Sequence, residues 1–365
     1  MNQNWLVNIG TFFIKVSLKI GLPIKKIIKD TVYGLFCGGE TIDECEKTIH
    51  KLHNFQIGTI LDYSVEGEDD ELSFDQTKDE ILQSIIYAKD HKDKIPYSVF
   101  KITGIGSRDL LTKIQENKNP LDTEEKRKYE AFKNRLNTLA EAAKNHQMRL
   151  FIDAEETWIQ NVIDDLVLDL MRKYNKGDQP IIFNTYQLYR TQAYNILKSH
   201  FETGKSEGFK VGAKLVRGAY MEKERERAQK LDYEDPINAN KEITDRQFNN
   251  ATILCIENAE WISVCLGTHN EESCKVGVEH IEKKGLDVGD QRVYFAQLLG
   301  MSDNITFNLA KAGFNTAKYV PFGPVESVMP YLLRRAEENT SIAGQTSREF
   351  RMFKIEIDRR KKENV

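Results

Sequence analysis

Eight short runs rich in Val, Ile, Phe and Tyr recur along the chain, and stretches with helical spacing of apolar residues lie between them. The runs are 57–65, 97–106, 148–156, 180–189, 210–220, 261–270, 292–300 and 314–323. Several are nearly continuous apolar segments, as in parallel strands that helices cover on both faces. Eight alternating strand–helix units predict an α/β protein, specifically a (β/α)₈ TIM-type barrel, with a doubly wound open sheet as the alternative.

The length of the chain agrees with one barrel and two flanking segments. At 365 residues, it lies within the range of about 200 to over 400 residues that single barrels of this type occupy. We expect an N-terminal helical segment at 1–56, the catalytic barrel at 57–345 and a C-terminal tail at 346–365.

The first 30 residues have an amphipathic pattern. Apolar side chains recur at helical spacing, and five lysines accompany them with Asp30 as the acidic residue that opposes them. The apolar residues are Trp5, Ile9, Phe12, Val16 and Ile20. One interpretation is a terminal helix that packs on the barrel, and the other is a helix that lies on an anionic membrane. The segment contains no Arg, which argues against a mitochondrial presequence. We therefore expect a cytoplasmic protein. The second interpretation leaves open a peripheral contact at the inner face of the cytoplasmic membrane, and a mitochondrial location is the less favoured alternative.

Composition argues against several other classes of protein. The formal net charge is −4, and the chain contains no basic stripe with interleaved aromatics. A nucleic-acid partner is therefore not predicted. The five cysteines form no CxxC pair, so we expect reduced thiols rather than a disulfide framework. The seven histidines form no HxH or HExxH pair, so no metal site is predicted. The chain contains no run of 18 apolar residues, so no transmembrane helix is predicted.

Polar side chains follow the predicted strands at the end where barrels of this type carry their active sites. They are Asp62, Lys101, Asp153, Glu155, Glu156, Tyr186, Gln187, Arg217, Tyr220, Thr268, His269, Gln297 and Tyr319. A charge beside a buried strand costs free energy unless it is paired or functional. One such residue is usually a structural pair, whereas many that converge on one rim indicate a site.

The fifth run, KVGAKLVRGAY (210–220), is the most informative of the eight. Gly218 and Ala219 are small, so a flat ligand could approach the backbone closely. Arg217 remains protonated and can donate a hydrogen bond to a ring nitrogen or an anion. The structural alternative is that Lys214 and Arg217 pair with Asp153 or Glu155 across the barrel, and this pairing is compatible with a ligand role.

The last unit ends in PYLLRRAEENTS (330–341). Ser327 is a candidate helix cap, and Pro330 suits the first turn of a helix. Arg334 and Arg335 are adjacent, and two guanidinium groups can bind a carboxylate through paired hydrogen bonds. Glu338 lies four residues after Arg334, so a routine ion pair on a surface helix is the alternative.

Six motifs together resemble the proline dehydrogenase family. They are FCGGET (36–41), IDAEET (152–157), NTYQLY (184–189), KLVRGAY (214–220), THN (268–270) and KYVPFGPVESVMPYLLRRAEENTS (318–341). The resemblance covers about residues 33 to 350, and the motifs fall at predicted strand ends in the family's order. The chain resembles the monofunctional branch of the family. The resemblance implies flavin adenine dinucleotide (FAD) as cofactor and L-proline as substrate.

The resemblance also implies roles for individual residues. Those implied for the cofactor are Arg217 near flavin N5, Gln187 and Ala219 along the ring, and Thr244, Thr268 and His269 along the rest of the dinucleotide. Tyr220 is also implied to contact the cofactor. Those implied for the substrate are Arg334 and Arg335 with Lys101 at the carboxylate, and Tyr319 and Leu298 against the pyrrolidine ring. Glu338 is implied to face the substrate amine, contact the cofactor or orient the arginines, and Asp153 to pair with active-site cations or with Tyr319. Arg217, Lys101 and Asp153 are the residues implied in catalysis.

The implied reaction is hydride transfer from C5 of proline to the flavin, which gives Δ1-pyrroline-5-carboxylate and passes electrons to a membrane quinone. A related branch oxidises hydroxyproline and tends to have a smaller residue at the position of Tyr319, so the tyrosine resembles the proline-preferring branch. From the residues alone, two further functions stay open: a Schiff-base lyase that uses Lys214 or Lys101, and a non-catalytic barrel.

Overall fold

The computed structural model describes residues 29–65, 69–341 and 355–360, and its centre is a closed barrel of eight parallel strands in sequence order. The strands are β1 (Ile57–Tyr63), β2 (Tyr97–Lys101), β3 (Arg149–Asp153), β4 (Ile182–Gln187), β5 (Val211–Val216), β6 (Ile262–Gly267), β7 (Val293–Leu298) and β8 (Thr316–Phe322). β1 pairs with β8 along its whole length and closes the sheet. The predicted barrel is therefore confirmed, and the open sheet is wrong.

Helices surround the barrel and fill the connections between strands. They are α1 (Ile42–His53), α2 (Glu71–Lys89), α3 (Arg108–Glu116), α4 (Thr123–His146), α5 (Thr157–Tyr174), α6 (Ala193–Glu207), α7 (Met221–Leu231), α8 (Lys241–Glu257), α9 (Glu271–Lys284), α10 (Asp303–Lys311) and α11 (Val325–Ser341). Local sequence sets several of their starts. Asp122 and Glu125 form a capping box at α4, and the Asn270 side chain accepts the Ser273 N–H at the start of α9. Such caps satisfy N–H groups that have no partner within the helix.

Aromatic side chains fill the barrel interior at the N-terminal ends of the strands. The ring centroids of Tyr97 and Phe151 lie 4.2 Å apart, and Phe183 and Tyr294 meet the Tyr97 ring edge-on. Arg149, the first residue of β3, donates to the Tyr97 hydroxyl at 3.2 Å and closes this layer on the side of the strand N-termini. Because the interior is packed at the N-terminal ends of the strands, space for a ligand remains at their C-terminal ends.

A short helical segment before α1 packs against the last helix. It runs through Lys29–Tyr33 and Gly34–Phe36, and its buried side chains join those of α11 in one apolar cluster. Residues 1–28 lie outside the described residues, and with them the predicted amphipathic pattern from Trp5 to Ile20. Within the part of the chain that is described, no helix is long and apolar enough to cross a membrane.

The start of α11 differs from the sequence prediction. The helix begins at Val325, so Pro330 lies inside it rather than in its first turn, and Ser327 is a helical residue rather than its cap. An interior proline removes one backbone hydrogen bond. Burial of Val325, Val328, Met329 and Leu332 in the apolar cluster offsets this loss.

Candidate active site

The C-terminal ends of the strands surround a cavity of about 660 Å³, within the usual range for small-molecule and cofactor sites. Twelve of the predicted site residues line it. They are Lys101, Asp153, Gln187, Arg217, Ala219, Tyr220, Thr268, His269, Leu298, Tyr319, Arg334 and Arg335. The cavity is also rich in charge, with six Lys or Arg side chains and four carboxylates. The cations are Lys101, Lys214, Arg217, Lys241, Arg334 and Arg335, and the carboxylates are Asp62, Asp153, Glu271 and Glu272.

Asp153 is the centre of a buried cluster on one wall of the cavity. Its Oδ1 accepts a hydrogen bond from Lys214 Nζ at 2.6 Å, and its Oδ2 accepts one from the Tyr319 hydroxyl at 2.6 Å. Lys214 Nζ also lies 4.4 Å from the centroid of the Tyr319 ring. Burial opposes ionisation of Asp153, but Lys214, Lys101 and these hydrogen bonds hold its pKa below the usual value. The cluster is therefore an ionised carboxylate that fixes an ammonium and a phenol.

Asp62 lies at the base of the cavity near this cluster. It is 1% exposed, and its Oδ2 accepts from the Ser64 hydroxyl. Its Oδ1 has no hydrogen-bond partner among the described residues. Burial raises the pKa of Asp62, the Lys101 charge lowers it and the Asp153 charge raises it again. Asp62 was among the strand-end residues but received no role from the sequence.

Arg217 is fixed against the outer wall by two neighbouring helices. Its Nε donates to Asp245 Oδ1 at 2.7 Å, and its Nη atoms donate to Thr268 Oγ1 at 2.5 Å and to Ser273 Oγ at 2.8 Å. The expected pairing of Lys214 with Asp153 is confirmed, whereas Arg217 pairs with Asp245 on α8 rather than with Asp153 or Glu155. The sequence could not indicate this partner, because α8 lies in a connection rather than at a strand end.

The wall after β5 has a backbone that only glycine adopts readily. Gly218 has a φ of +132°, and a Cβ there would lie 2.5 Å from the Tyr189 ring. Ala219 and Gly267 continue this small-residue wall along the cavity. At the end of the neighbouring strand β4, Gln187 Nε2 donates to the Glu155 carbonyl at 2.6 Å, which fixes the orientation of the amide. A planar ring can therefore lie against the backbone here with an amide at its edge.

Thr268 and His269 follow β6 and line the same side. Thr268 Oγ1 accepts from Arg217 and from the Asn270 N–H, and His269 Nδ1 lies 3.0 Å from Ser302 Oγ. Burial lowers the pKa of His269 to about 3, and the charges of Lys318 and Arg335 add to the effect. The imidazole is therefore neutral near pH 7 and available for neutral hydrogen bonds.

The predicted arginine pair lies on α11 and lines the cavity. Arg335 is buried, with its guanidinium carbon 5.4 Å from the centroid of the Tyr331 ring. Leu298 at the end of β7 and Tyr319 on β8 line the cavity as well. The pair is thus on the active face of the barrel, and the alternative of a solvent-facing surface helix is wrong for Arg335.

Among the described residues, the candidates that do not line the cavity are Thr244, Glu155, Glu156 and Tyr186. Thr244 is buried in α8, where its hydroxyl accepts from Asn238 and donates to the Asn240 carbonyl. Glu155 lies behind the wall and accepts hydrogen bonds from the backbone and side chain of Thr103. The Glu338 side chain is outside the described residues, so its role stays a prediction.

Tyr331, Lys214 and Lys241 are among the lining residues that received no site role from the sequence. Tyr331 is buried, and its hydroxyl has no hydrogen-bond partner among the described residues. Its spacing from Arg334, three residues along one helix, was the available signal. Lys214 was noted as a possible partner of Asp153 or as a nucleophile but received no site role, and Lys241 carried no signal.

A family model described as "Proline dehydrogenase" matches residues 45–348. "Proline dehydrogenase 1, mitochondrial" of Dictyostelium discoideum is 33% identical over 405 residues, which cover 98% of this chain and 70% of that protein. The protein of the same description from Homo sapiens is 44% identical over 230 residues, which cover 62% of this chain and 38% of that protein. "Hydroxyproline dehydrogenase" of Xenopus laevis is 30% identical and covers 91% of this chain and 78% of that protein.

Solved structures show the same fold. Proline utilization A from Bdellovibrio bacteriovorus superimposes with a TM-score of 0.76 at 19% identity, over 86% of this chain and 33% of that chain. The chain thus spans about a third of this structural neighbour and under two fifths of the human relative.

Proposed function

Because this chain belongs to the proline dehydrogenase family, we propose that it oxidises L-proline to Δ1-pyrroline-5-carboxylate with FAD as cofactor. The observation that carries the proposal is a single cavity with two complementary walls. Arg334 and Arg335 supply paired cationic donors on one side, and the small-residue wall at Gly218 and Ala219 admits a flat ring on the other.

The substrate carboxylate binds to Arg334 and Arg335, with Lys101 in support. Hydrogen bonds between charged groups are worth about 1.5–3 kcal/mol each, and two guanidinium forks fix the direction of a small anion as well as its position. The arginines come from α11 and the lysine from β2. The acid group is therefore held from two sides of the cavity rim.

The pyrrolidine ring packs against Tyr319, Leu298 and Tyr331. The hydrogen bond from the Tyr319 hydroxyl to Asp153 and the contact between Lys214 and the ring lock this side chain in one orientation. A fixed aromatic wall limits how the substrate can turn once its carboxylate is bound. Positioning of this kind can remove several kcal/mol from a reaction barrier.

The lining residues fit FAD. The backbone at Gly218, Ala219 and Gly267 leaves space for a flat ring, and Gln187 offers an amide beside it. Arg217 offers a positive charge beside that ring, and Lys241 adds a second cation to the lining that can attract the phosphates of the dinucleotide. The bound flavin supplies the acceptor for the hydride that leaves C5 of proline.

The chain's own charges also act on the substrate nitrogen. Proline must lose a proton from its amine for the C–N double bond to form. Lys101, Lys214 and Arg335 surround the cavity, and their positive field favours the neutral amine over the ammonium form. Lys214 is engaged by Asp153 at 2.6 Å, which favours this electrostatic role over the nucleophilic role of a Schiff-base lyase.

Electrons leave the reduced cofactor for a quinone. The N-terminal segment, with its amphipathic pattern, is the part of the chain that would contact a membrane in which quinones reside. A cytoplasmic protein that binds peripherally at the inner face of the membrane is consistent with this arrangement. Several relatives are described as mitochondrial, so the compartment is part of the proposal.

The direct test is a visible spectrum of the purified protein under anaerobic conditions. We expect the absorbance of oxidised flavin, bleached when L-proline is added and restored by a soluble quinone, with pyrroline-5-carboxylate formed in equal amount. A protein that remains colourless after reconstitution with FAD would overturn the proposal. A flavin band that proline leaves unchanged would overturn it as well.

A further inference from the structure

Residues 33–40, which include most of the motif FCGGET, hold the junction between β8 and α11. The Tyr33 hydroxyl donates to the Gly323 carbonyl at 2.8 Å. The Gly38 N–H donates to the Pro321 carbonyl at 2.9 Å, and the Gly323 N–H donates to the Gly39 carbonyl at 3.2 Å. The proposed function gives this segment no role, yet it binds the helix that carries the arginine pair.

Glu40 completes this attachment at the first residue of α11. Its Oε2 accepts the Val325 N–H at 3.3 Å, and its Oε1 accepts from Lys29 Nζ at 2.6 Å. The residue before the helix is Pro324, which has no side-chain acceptor for the free N–H groups of the first turn. Position 40 therefore supplies the cap from a distant part of the sequence, and its negative charge also favours the helix N-terminus.

The arginines lie far enough along α11 from the cap that a small tilt of the helix at Val325 displaces them appreciably. Arg334 follows Val325 by nine positions along α11, or about 14 Å at a rise of 1.5 Å per residue. Over that length, a tilt of about 5° displaces the guanidinium group by roughly 1 Å. A displacement of about 1 Å moves a donor out of the range of about 2.7–3.2 Å at which hydrogen bonds form, so it weakens the hydrogen bonds between the arginines and the carboxylate.

The interior proline makes the first turns of α11 sensitive to this attachment. Pro330 lies between the cap and the arginines and cannot donate a backbone hydrogen bond. Helices bend at such positions. The direction of the helix after Pro330 therefore depends on how firmly its first turns are held, and Tyr33, Phe36 and Cys37 pack against those turns in the buried cluster.

We propose that Glu40 is a positioning residue for substrate binding: it caps α11 and thereby sets the orientation of Tyr331, Arg334 and Arg335 toward the cavity. The inference rests on the proposed function, because it assigns the arginine pair to the substrate carboxylate. It predicts that the loss of Glu40 weakens carboxylate binding more than it slows turnover.

The test compares Glu40→Ala, Glu40→Gln and Asp43→Ala in the flavin-loaded full chain. Asp43 is the matched control, because it is an exposed carboxylate three residues further along, in the first turn of α1, and has no hydrogen bond to Glu40 or to α11 in the part of the chain that the structure describes. We expect Glu40→Ala to raise the KM for L-proline about tenfold, with kcat within about twofold and flavin content unchanged, since the orientation of the arginines rather than the flavin wall is altered.

The inhibition constant of cyclopentanecarboxylate, a carboxylate of the same ring size without the amine, should rise by the same factor. Glu40→Gln keeps an oxygen acceptor and should lie between the wild type and Glu40→Ala. Asp43→Ala should match the wild type. Should Glu40→Ala give no soluble protein, Glu40→Gln and Asp43→Asn provide the same comparison with conservative changes.

Unchanged KM in both Glu40 variants would overturn the inference, as would an equal rise in the Asp43 variant. A fall in kcat and flavin content at constant KM would also overturn it, because that pattern indicates a general structural role. The wild type in the same series separates this failure from failure of the proposed function. If L-proline does not bleach the wild-type flavin, the function is wrong, whereas bleaching with identical variants refutes the capping role alone.

Discussion

Asp153 shows how far chemistry at the residue scale follows from sequence. Its position after an apolar strand indicated a carboxylate that must be paired or functional, and the structure supplies both Lys214 and Tyr319 as partners. Tyr331 and Arg217 show where inference of a residue's contacts from sequence ends. The contacts of Arg217 with Asp245 and Ser273 depend on how α8 and α9 pack, which no local pattern specifies.

Tyr319 should control the choice between proline and 4-hydroxyproline. Its ring is held by the hydrogen bond to Asp153 and lies against the cavity, so a 4-hydroxyl group would meet a fixed wall. We expect Tyr319→Ser to raise the ratio of kcat/KM for trans-4-hydroxyproline over proline at least about tenfold, since a steric mismatch of this size is worth about 1–3 kcal/mol. Tyr319→Phe, which keeps the ring, is the control. A ratio that does not move in Tyr319→Ser would exclude this role.

Glu155 should make stability depend on pH. Burial raises the pKa of Glu155 to about 7, and the Thr103 hydrogen bonds only partly oppose this. The folded protein therefore holds a proton that the unfolded chain releases near pH 4.5, so the stabilisation is full below that pH and is lost as the pH rises through 7. The upper bound of this contribution is about 3 kcal/mol.

Urea unfolding at pH 5 and pH 8 measures this effect. We expect the wild type to lose more stability between these values than Glu155→Gln, whose neutral amide can replace the protonated acid against Thr103. Buried Asp62 and Glu224 also have raised pKa values, so the variant should reduce the pH dependence without removing it. An identical pH dependence in both proteins would contradict the assignment.

At the scale of elements, strand positions were predicted well and strand ends less so. All eight strands lie within the predicted runs, because buried parallel strands give continuous apolar segments. The runs extended too far at their C-terminal ends, as in 97–106 against Tyr97–Lys101. These added residues belong to the loops that form the cavity rim. Their residue types depend on packing against helices and ligand rather than on strand pairing, so the apolar pattern does not mark where the strand ends.

The turn after β5 should depend on glycine. A Cβ at position 218 would meet the Tyr189 ring at 2.5 Å, and the φ of +132° is unfavourable for other residues. We expect Gly218→Ala to cost about 1–3 kcal/mol of local strain and to lower the flavin content of the purified protein. Gly208→Ala is the matched control, because its φ is also positive but nothing lies within 4 Å of the added carbon. Full flavin content in Gly218→Ala would argue against the small-residue wall as the cofactor site.

At the scale of the whole molecule, the barrel brings residues from distant parts of the sequence to one rim. Lys101, Arg217 and Arg335 belong to β2, the end of β5 and α11, and all three line one cavity. This convergence could be predicted because a closed parallel barrel places the same end of every strand on one face. The division into segments at 56/57 and 345/346, the quinone acceptor and the membrane contact stay predictions.

The most direct measurement is an anaerobic titration of flavin absorbance with L-proline in the wild type, Arg334→Met and Arg335→Met. We expect complete bleaching in the wild type and a proline requirement about a hundredfold higher in each variant, because each loses charge-assisted hydrogen bonds worth about 1.5–3 kcal/mol apiece. Bleaching of both variants at wild-type proline concentrations would contradict the central claim that these two guanidinium groups hold the substrate carboxylate beside the flavin.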